Sequence, residues 1–313
     1  MTERTRGIVY VLIGTLLWST TGIFISYLLL NYDIRPLNLA FWRSLFAGVT
    51  LIALLAWRNP AALRLQRGDW LFFALYGFIG LAAFNGTWTY SVQYNGAAVA
   101  TVLAYTSPAF TVLLARPLLR EPLTVRKLIA AALSLAGCVL VARAYEAEAW
   151  RVNLAGILTG VGTGLMFSIF SVTGRWSVGR FANPWTVTAY GFLFAAVGLG
   201  LAQDWSAVFS LGRAWPAWGI LFGLAIGPSL LGFGLYTVSL RYLPAGVAGL
   251  IASLEPALTT LLAVLLLSER LENWQWLGMG LILAGVALVQ TEPAQAVAAR
   301  PVQPAEPLGT PAP

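Results

Sequence analysis

Long apolar runs, separated by short polar or proline-containing loops, follow one another along almost the whole chain. Each run has the roughly twenty mainly apolar residues that a helix needs to cross a bilayer. The ten runs lie at residues 7–30, 37–57, 69–92, 96–119, 125–143, 153–174, 184–203, 215–240, 244–268 and 274–291. This pattern predicts an all-α, polytopic membrane protein with ten transmembrane helices.

An internal repeat divides these spans into two sets of five. A shift of 148 residues places residues 97–141 over residues 245–289. The identities in register include Pro108 with Pro256, Ala109 with Ala257, Glu121 with Glu269 and Gly137 with Gly285. Because five is odd, the second set enters the membrane from the opposite side, which gives the inverted repeat typical of secondary transporters. A duplicated scaffold without a cavity is the alternative.

The domain boundaries follow from this repeat. We assign residues 1–146 to the first repeat, with spans 1–5, and residues 147–291 to the second repeat, with spans 6–10. Residues 292–313 are rich in proline and alanine and of low complexity. Such a composition cannot build a packed core, so we predict a disordered cytoplasmic tail there.

Composition and charge narrow the classes of function. The chain is 58% hydrophobic and 10% charged, with a net charge of +7. Lys and Arg concentrate in loops on one side, which predicts a bacterial inner-membrane protein with both termini in the cytoplasm. Because the positive charge is explained by membrane orientation, we expect no nucleic-acid partner. No histidine is present, so histidine-based catalysis and metal ligation are excluded. A single cysteine, Cys138, excludes an intramolecular disulfide.

Several stretches carry a family resemblance. They are "LLWSTTGIF" (16–24), "LAFWRSLFAG" (39–48) and the paired segments "SPAFTVLLA...LREPLT" and "EPALTTLLAVLLLSERL". With the five-plus-five duplication, they resemble the EamA branch of the drug/metabolite transporter superfamily. Within that branch the chain looks most like the YddG-type bacterial exporters of aromatic amino acids. The resemblance implies export of amino acids and related metabolites through a central cavity that opens alternately to either side.

Prolines interrupt the predicted helices at corresponding places. Pro256 follows Glu255 inside the ninth span, and Pro108 holds the equivalent position in the fourth. A proline cannot donate its backbone hydrogen bond and pushes against the preceding turn, so each helix loosens there. Gly227 and Pro228 loosen the eighth span in the same way. We predict that these four residues act as structural hinges.

Two charges lie at membrane depth. Glu255 facing lipid would cost at least about 2.5–3 kcal/mol, so we expect it to face a cavity. There it is either a counter-charge or proton acceptor, or a structural acid paired with a helix terminus or with Arg43. For Arg43 we favour a structural role over binding of a carboxylate. For Glu121 and Glu269, which close their helices, we expect capping or salt bridges.

Aromatic and polar residues recur at mid-depth in several helices. The predicted binding residues are Trp18, Ser19, Tyr76, Asn85, Trp88, Tyr105, Phe167, Phe170, Phe233, Tyr236, Ser253 and Glu255. Together they suggest a roomy amphipathic pocket that suits a flat ring with a zwitterionic end. The same pocket would admit methionine, leucine or a flat drug cation.

The glycines of the sixth span have the spacing of a small-residue packing face. Gly156, Gly160 and Gly164 lie four residues apart, which lets two helices approach closely. We favour packing within one chain, and hence a monomer, with a dimer as the alternative.

The leading hypothesis is a secondary transporter that exports aromatic and other neutral amino acids by alternating access. Broad-specificity efflux of drugs or metabolites is the alternative. An enzyme is not expected, because chemistry usually needs a paired acid and base, a nucleophile with its base, or a metal. We expect no cofactor, and no GxxxxGK[ST] motif indicates direct ATP drive. Coupling is therefore passive, proton-linked or by exchange.

Overall fold

The computed structural model describes residues 1–146, 154–267 and 271–291. Within these ranges it contains helices and no strands, as predicted. The α-helices are α1 (Glu3–Ser19), α2 (Thr21–Asn31), α3 (Pro36–Arg58), α4 (Asp69–Leu75), α5 (Phe84–Ala104), α6 (Ser107–Leu119), α7 (Val125–Val141), α8 (Leu154–Arg180), α9 (Pro184–Ala202), α10 (Trp215–Leu224), α11 (Gly234–Ser239), α12 (Ala245–Ala252), α13 (Glu255–Leu267) and α14 (Asn273–Gln290). Glu269 and the predicted tail at residues 292–313 lie outside the described residues.

Ten helical spans correspond to the ten predicted runs. Eight are long and apolar enough to cross a membrane: Glu3–Asn31, Pro36–Arg58, Asp69–Asn95, Val99–Leu119, Leu154–Arg180, Pro184–Ala202, Trp215–Ser239 and Ala245–Leu262. Helices α7 and α14, of 17 and 18 residues, pack against each other and complete the set. The protein is therefore a multi-pass membrane protein with the predicted all-α fold.

Helix α5 contains the connection between the third and fourth spans. The Oγ of Ser91 and the Cβ of Leu103 would lie 2.8 and 2.6 Å from a Cβ placed on Gly160. In one straight helix, twelve residues would separate these two side chains by about 18 Å. The chain therefore turns back between Ser91 and Leu103.

The two repeats share their helix irregularities. In the first repeat, α5 ends at Ala104 and α6 begins at Ser107; in the second, α12 ends at Ala252 and α13 begins at Glu255. Both breaks lie where the prolines predict them, and they are 148 residues apart. The third span of each repeat also passes through π-helix, at Tyr76–Ala83 and at Ala225–Phe233. The duplication read from the sequence is thus present in the backbone.

The first span differs from the prediction because it is broken near its middle. Helix α1 ends at Ser19 and α2 begins at Thr21. The hydroxyls of Ser19 and Thr20 donate to the carbonyls of Leu16 and Leu17, each at 2.7 Å. Hydroxyls that bond back to the preceding turn compete with the helix ladder and bend it.

Helices α7 and α14 meet at backbone distance in a contact that we call the glycine seam, formed by Ala130, Gly137, Gly278 and Gly285. A Cβ on Gly137 would lie 2.5 Å from the carbonyl oxygen of Gly278, and a Cβ on Gly285 would lie 2.8 Å from that of Ala130. The 148-residue shift converts the first contact into the second. The seam therefore lies on the pseudo-twofold axis that relates the repeats.

Different contacts join the repeats at the two ends of the bundle. At one end, buried Glu121 accepts hydrogen bonds from the backbone of Ala245 at 2.8 Å and Gly246 at 3.4 Å. This carboxylate caps the N-terminus of α12, which confirms capping as its role. Glu121 thereby fixes the first repeat to the ninth span.

The opposite end is joined by exposed ion pairs. Arg35 contacts Asp204 at 2.6 Å, and Arg143 contacts Glu272 at 2.9 Å. Hydrogen bonds from Ser206, and then the bond from Arg35, hold the pKa of the Asp204 carboxyl below its usual range. Exposed pairs of this kind contribute little to stability and are screened by salt.

Candidate functional site

Aromatic side chains from both repeats pack ring against ring near the middle of the bundle. This aromatic cluster consists of Trp18, Tyr76, Phe167, Phe170, Phe233 and Tyr236. The ring of Trp18 lies 4.8 Å from that of Phe233 and 5.2 Å from that of Tyr236. Tyr76 joins the cluster through Phe170, at 5.3 Å. The structure thus brings together six residues that the sequence singled out separately.

The aromatic cluster is packed rather than open. Trp18 is 5% exposed, Phe170 1% and Tyr236 0%, whereas Phe167 is half-buried. The hydroxyl of Tyr236 contacts the Ser171 hydroxyl at 2.8 Å. In this structure the rings therefore form a solid wall, where the sequence suggested the lining of a roomy pocket.

Two predicted serines use their hydroxyls within the protein. Ser19 donates to Leu16, as described above, and is fully buried. Ser253 contacts the Ser134 hydroxyl at 3.0 Å and donates to the carbonyl of Leu250 at 2.6 Å. Both hydroxyls are therefore occupied by structural hydrogen bonds.

Arg43 is buried and held by a side chain that the sequence analysis did not pair with it. Its Nη2 donates to Oδ1 of Asn85 at 2.9 Å, and Nδ2 of Asn85 donates to the carbonyl of Leu81 at 2.8 Å. The Nε of Arg43 is buried and has no hydrogen-bond partner. The amide orients the guanidinium without neutralising its charge.

Glu255 is held in a similar way by a neutral partner. The hydroxyl of Tyr105, at the break before α6, donates to Oε2 of Glu255 at 2.7 Å. Within the described residues no ion pair of 4.0 Å or less joins Glu255 to Arg43, although their charges attract each other. The structural pairing of Glu255 with Arg43 is therefore not present in this structure.

Four of the predicted residues are partly exposed in this structure. They are Trp88, Tyr105, Phe167 and Glu255. Trp88 makes no ring contact in the part of the chain that the structure describes, unlike the rings of the aromatic cluster. These side chains and the Arg43–Asn85 pair form the candidate site.

The predicted hinge residues lie at helix irregularities. Pro108 and Pro256 occupy the first turns of α6 and α13, where a missing backbone N–H costs no helix bond. Gly227 and Pro228 lie in the second π-helix, and a side chain on Gly227 would meet nothing within 4 Å. The backbone of these segments departs from regular α-helix, which is a requirement for a hinge.

The sixth-span glycines pack inside the chain. A side chain on Gly160 would collide with Leu103, and one on Gly164 would lie 2.3 Å from Oγ1 of Thr106. The close approach is made to α5 and α6, as the sequence analysis favoured. Among the described residues, no group of three or more Cys, Asp and Glu side chains could hold a metal ion.

Two inverted five-span repeats, with charged and aromatic side chains buried where they meet, form the architecture of a membrane transporter. A model of the EamA-like transporter family matches residues 5–143 and 154–291, one match for each repeat. The chain belongs to this family, which confirms the resemblance to drug/metabolite transporters.

Relatives agree with this assignment. The uncharacterized inner membrane transporter YicL of Salmonella typhimurium is 24% identical over 93% of this chain and 97% of its own. The threonine/homoserine exporter RhtA of Escherichia coli strain K12 is 28% identical over 75% of this chain and 76% of its own. One crystal structure aligns with a TM-score of 0.75 over 91% of this chain and 97% of that chain. Its sequence identity is 22%, so it establishes the shared fold alone.

Proposed function

We propose that this chain exports neutral α-amino acids, aromatic ones among them, by alternating access at the site between the repeats. The observation that carries the proposal is a pair of opposite charges at membrane depth, buried Arg43 and partly exposed Glu255. Each is oriented by a neutral side chain, and the two do not form an ion pair. A relative, RhtA, is named as an exporter of two amino acids, which supports the same class of substrate.

The free-energy cost of placing these charges at membrane depth favours a ligand whose own charges neutralise them. A charged side chain at the centre of a membrane helix costs about 2.5–3.5 kcal/mol on insertion scales. Two opposite charges that attract each other at membrane depth would ordinarily close into a pair to offset that cost. A zwitterion placed between them supplies a carboxylate to the guanidinium and an ammonium to the glutamate.

The free hydrogen-bonding groups support an orientation for the ligand. Arg43 keeps an unpartnered Nε next to the Nη2 that binds Asn85, and guanidinium groups favour bidentate contact with carboxylates. Glu255 uses Oε2 for Tyr105, which leaves Oε1 for an ammonium group. The substrate carboxylate would therefore face Arg43, and its ammonium would face Glu255.

The half-buried rings supply the remaining surface. Phe167 belongs to the aromatic cluster and is its one half-buried ring, and Trp88 lies apart from the cluster. Aromatic surfaces accept flat rings and aliphatic chains alike. This supports neutral amino acids as a class, with aromatic side chains as the better fit.

Transport into proteoliposomes tests the proposal. Labelled phenylalanine and threonine should enter vesicles that contain the protein faster than protein-free vesicles. Phenethylamine, which lacks the carboxylate, and 3-phenylpropionate, which lacks the ammonium, should each move at least about tenfold more slowly than phenylalanine. Such a loss corresponds to about 1.4 kcal/mol per missing interaction.

Two results would overturn the proposal. If no amino acid moved, amino-acid export would be refuted. If phenethylamine moved as fast as phenylalanine, the requirement for a zwitterion would be refuted and the efflux alternative favoured.

A further inference from the structure

A cavity that neither Arg43 nor Glu255 lines lies at the end of the bundle that is predicted to carry the inner loops. It has a volume of about 560 Å³ and is open on one side. We call it the arginine cleft. Its walls come from three separate stretches of sequence, within residues 59–65, 181–186 and 238–242. These stretches are the loop after the second span, the loop before the seventh and the end of the eighth.

Hydrogen bonds between the stretches hold the cleft in shape. Thr186 donates to the carbonyl of Ala62 at 2.9 Å, and Arg241 donates to the carbonyl of Ala182 at 2.6 Å. The hydroxyl of Tyr190, one turn below, donates to the carbonyl of Leu63 at 2.9 Å. The cleft is therefore pre-organised and does not depend on a chance arrangement of loops.

The cleft is positively charged. Arg64 and Arg241 both line it, and none of its 14 lining residues, all within the described part of the chain, is acidic. Arg64 forms no ion pair in the described residues, and Arg241 bonds only a carbonyl, which leaves its charge unneutralised. The neighbouring acid, Asp69, is already paired with Arg180 at 3.0 Å. Two uncompensated guanidinium groups in one concave site attract an anion.

The walls of the cleft are amphipathic. Trp185 and Tyr242 line it beside the arginines, and both are half-buried. Tryptophan and tyrosine at the level of the headgroups are typical of membrane interfaces. An anion with an attached apolar part therefore fits the cleft better than a bare ion does.

We propose that the arginine cleft binds a phosphate group, with Arg64 and Arg241 as its charge partners. Guanidinium groups match phosphate oxygens in geometry and in charge. Basic pockets between helices on the cytoplasmic side of membrane proteins bind the headgroups of anionic lipids. The phosphate belongs either to an anionic phospholipid or to a soluble compound, and the proposal does not depend on the transported substrate.

Binding measurements on the purified full chain distinguish these sources. The fluorescence of Trp185 is followed during titration with short-chain phosphatidylglycerol, short-chain phosphatidylcholine or inorganic phosphate. Because the chain has thirteen Trp residues, the signal is taken as the difference from a Trp185→Phe variant. Phosphatidylglycerol should bind at least about tenfold more tightly than phosphatidylcholine. The double variant Arg64→Gln, Arg241→Gln should lose that preference.

The matched control is Arg67→Gln, which removes an exposed arginine of the same loop that does not line the cleft. It should leave binding unchanged. Equal loss in the control and in the double variant would overturn the proposal in favour of a diffuse surface charge. Inorganic phosphate binding as tightly as phosphatidylglycerol would support the phosphate site and refute a lipid as its source. A double variant with wild-type binding of every probe would refute the site itself.

Discussion

At the scale of single residues, the proposed function depends on two charges that neutral partners orient. Tyr105 donates to Glu255, and Asn85 accepts from Arg43. Neutral partners fix direction while leaving the charges available for a ligand. The proposed assignment of the two ends of the substrate can therefore be tested one charge at a time.

Removing the Glu255 carboxylate should weaken recognition of the substrate's ammonium group and leave recognition of its carboxylate intact. We expect Glu255→Gln to slow phenylalanine transport at least about tenfold and to abolish competition by phenethylamine. Competition by 3-phenylpropionate should persist, because Arg43 is intact. Initial rates in proteoliposomes measure both effects. Glu146→Gln, which changes an exposed acid outside the spans, is the control and should leave the rate unchanged.

Removing the guanidinium should have the complementary effect. In Arg43→Gln we expect a similar loss of phenylalanine transport, with competition by 3-phenylpropionate lost and competition by phenethylamine retained. The exposed residue Arg213 provides the control variant Arg213→Gln. Should both inhibitors still compete as in the wild type, Arg43 would have the structural role that the sequence analysis favoured.

At the scale of helices, the glycine seam fixes two spans at backbone distance. A Cβ on Gly278 would lie 2.7 Å from the carbonyl oxygen of Gly137, and backbone cannot move aside as a flexible side chain can. We expect Gly278→Ala to lower the free energy of unfolding by roughly 1–3 kcal/mol, as overpacking does. Thermal unfolding in detergent measures it.

The control lies in the same helix. A side chain on Gly280 would meet nothing within 4 Å, so Gly280→Ala should leave the thermal midpoint unchanged or raise it, because alanine favours helix. If both variants lowered the midpoint equally, close approach at Gly278 would not be the cause.

The π-helix of the eighth span gives a test of the proposed hinge. Gly227→Ala adds a methyl group where there is room but restricts the backbone. We expect a several-fold slower transport rate with little change in the concentration of phenylalanine that gives half the maximal rate. Gly219→Ala, in α10 of the same span and equally unobstructed, is the matched control. An unchanged rate in Gly227→Ala would argue against a hinge at that residue.

Elements of regular pattern could be predicted from the sequence, and contacts between distant residues could not. Apolar runs of about twenty residues gave the spans, and Pro108 and Pro256 gave the breaks. The break at Thr20 depends on hydroxyls bonding back to carbonyls, which a hydropathy pattern does not reveal. The link between Arg43 and Asn85 joins residues 42 positions apart, and only packing determines it.

The aromatic cluster shows the same limit. The sequence identified its six rings but not whether they enclose space or fill it. That difference depends on how closely spans 1, 6 and 8 approach, as at Trp18 and Phe233. Asn85, a polar residue at mid-depth, was predicted to bind substrate, and its contact with Arg43 was not predicted.

At the scale of the whole molecule, the topology remains a prediction with a direct test. Single cysteines at Arg67, Arg126 and Arg213 can be labelled with a membrane-impermeant maleimide in intact cells. Because Cys138 is buried, it contributes little background. We expect Arg213→Cys to react, and Arg67→Cys and Arg126→Cys to react only after permeabilisation. Residues 67 and 126 reacting from different sides would refute the assignment of the spans.

The geometry of the glycine seam predicts how a chain of half this length would associate. The 148-residue shift turns each contact of the seam into the other, so α7 contacts α14 with the same positions that α14 uses to contact α7. That reciprocity is the signature of an isologous homodimer. A single five-span protein carrying this surface would pair with a second copy inserted in the opposite orientation, and this chain holds both halves of such an interface in one polypeptide.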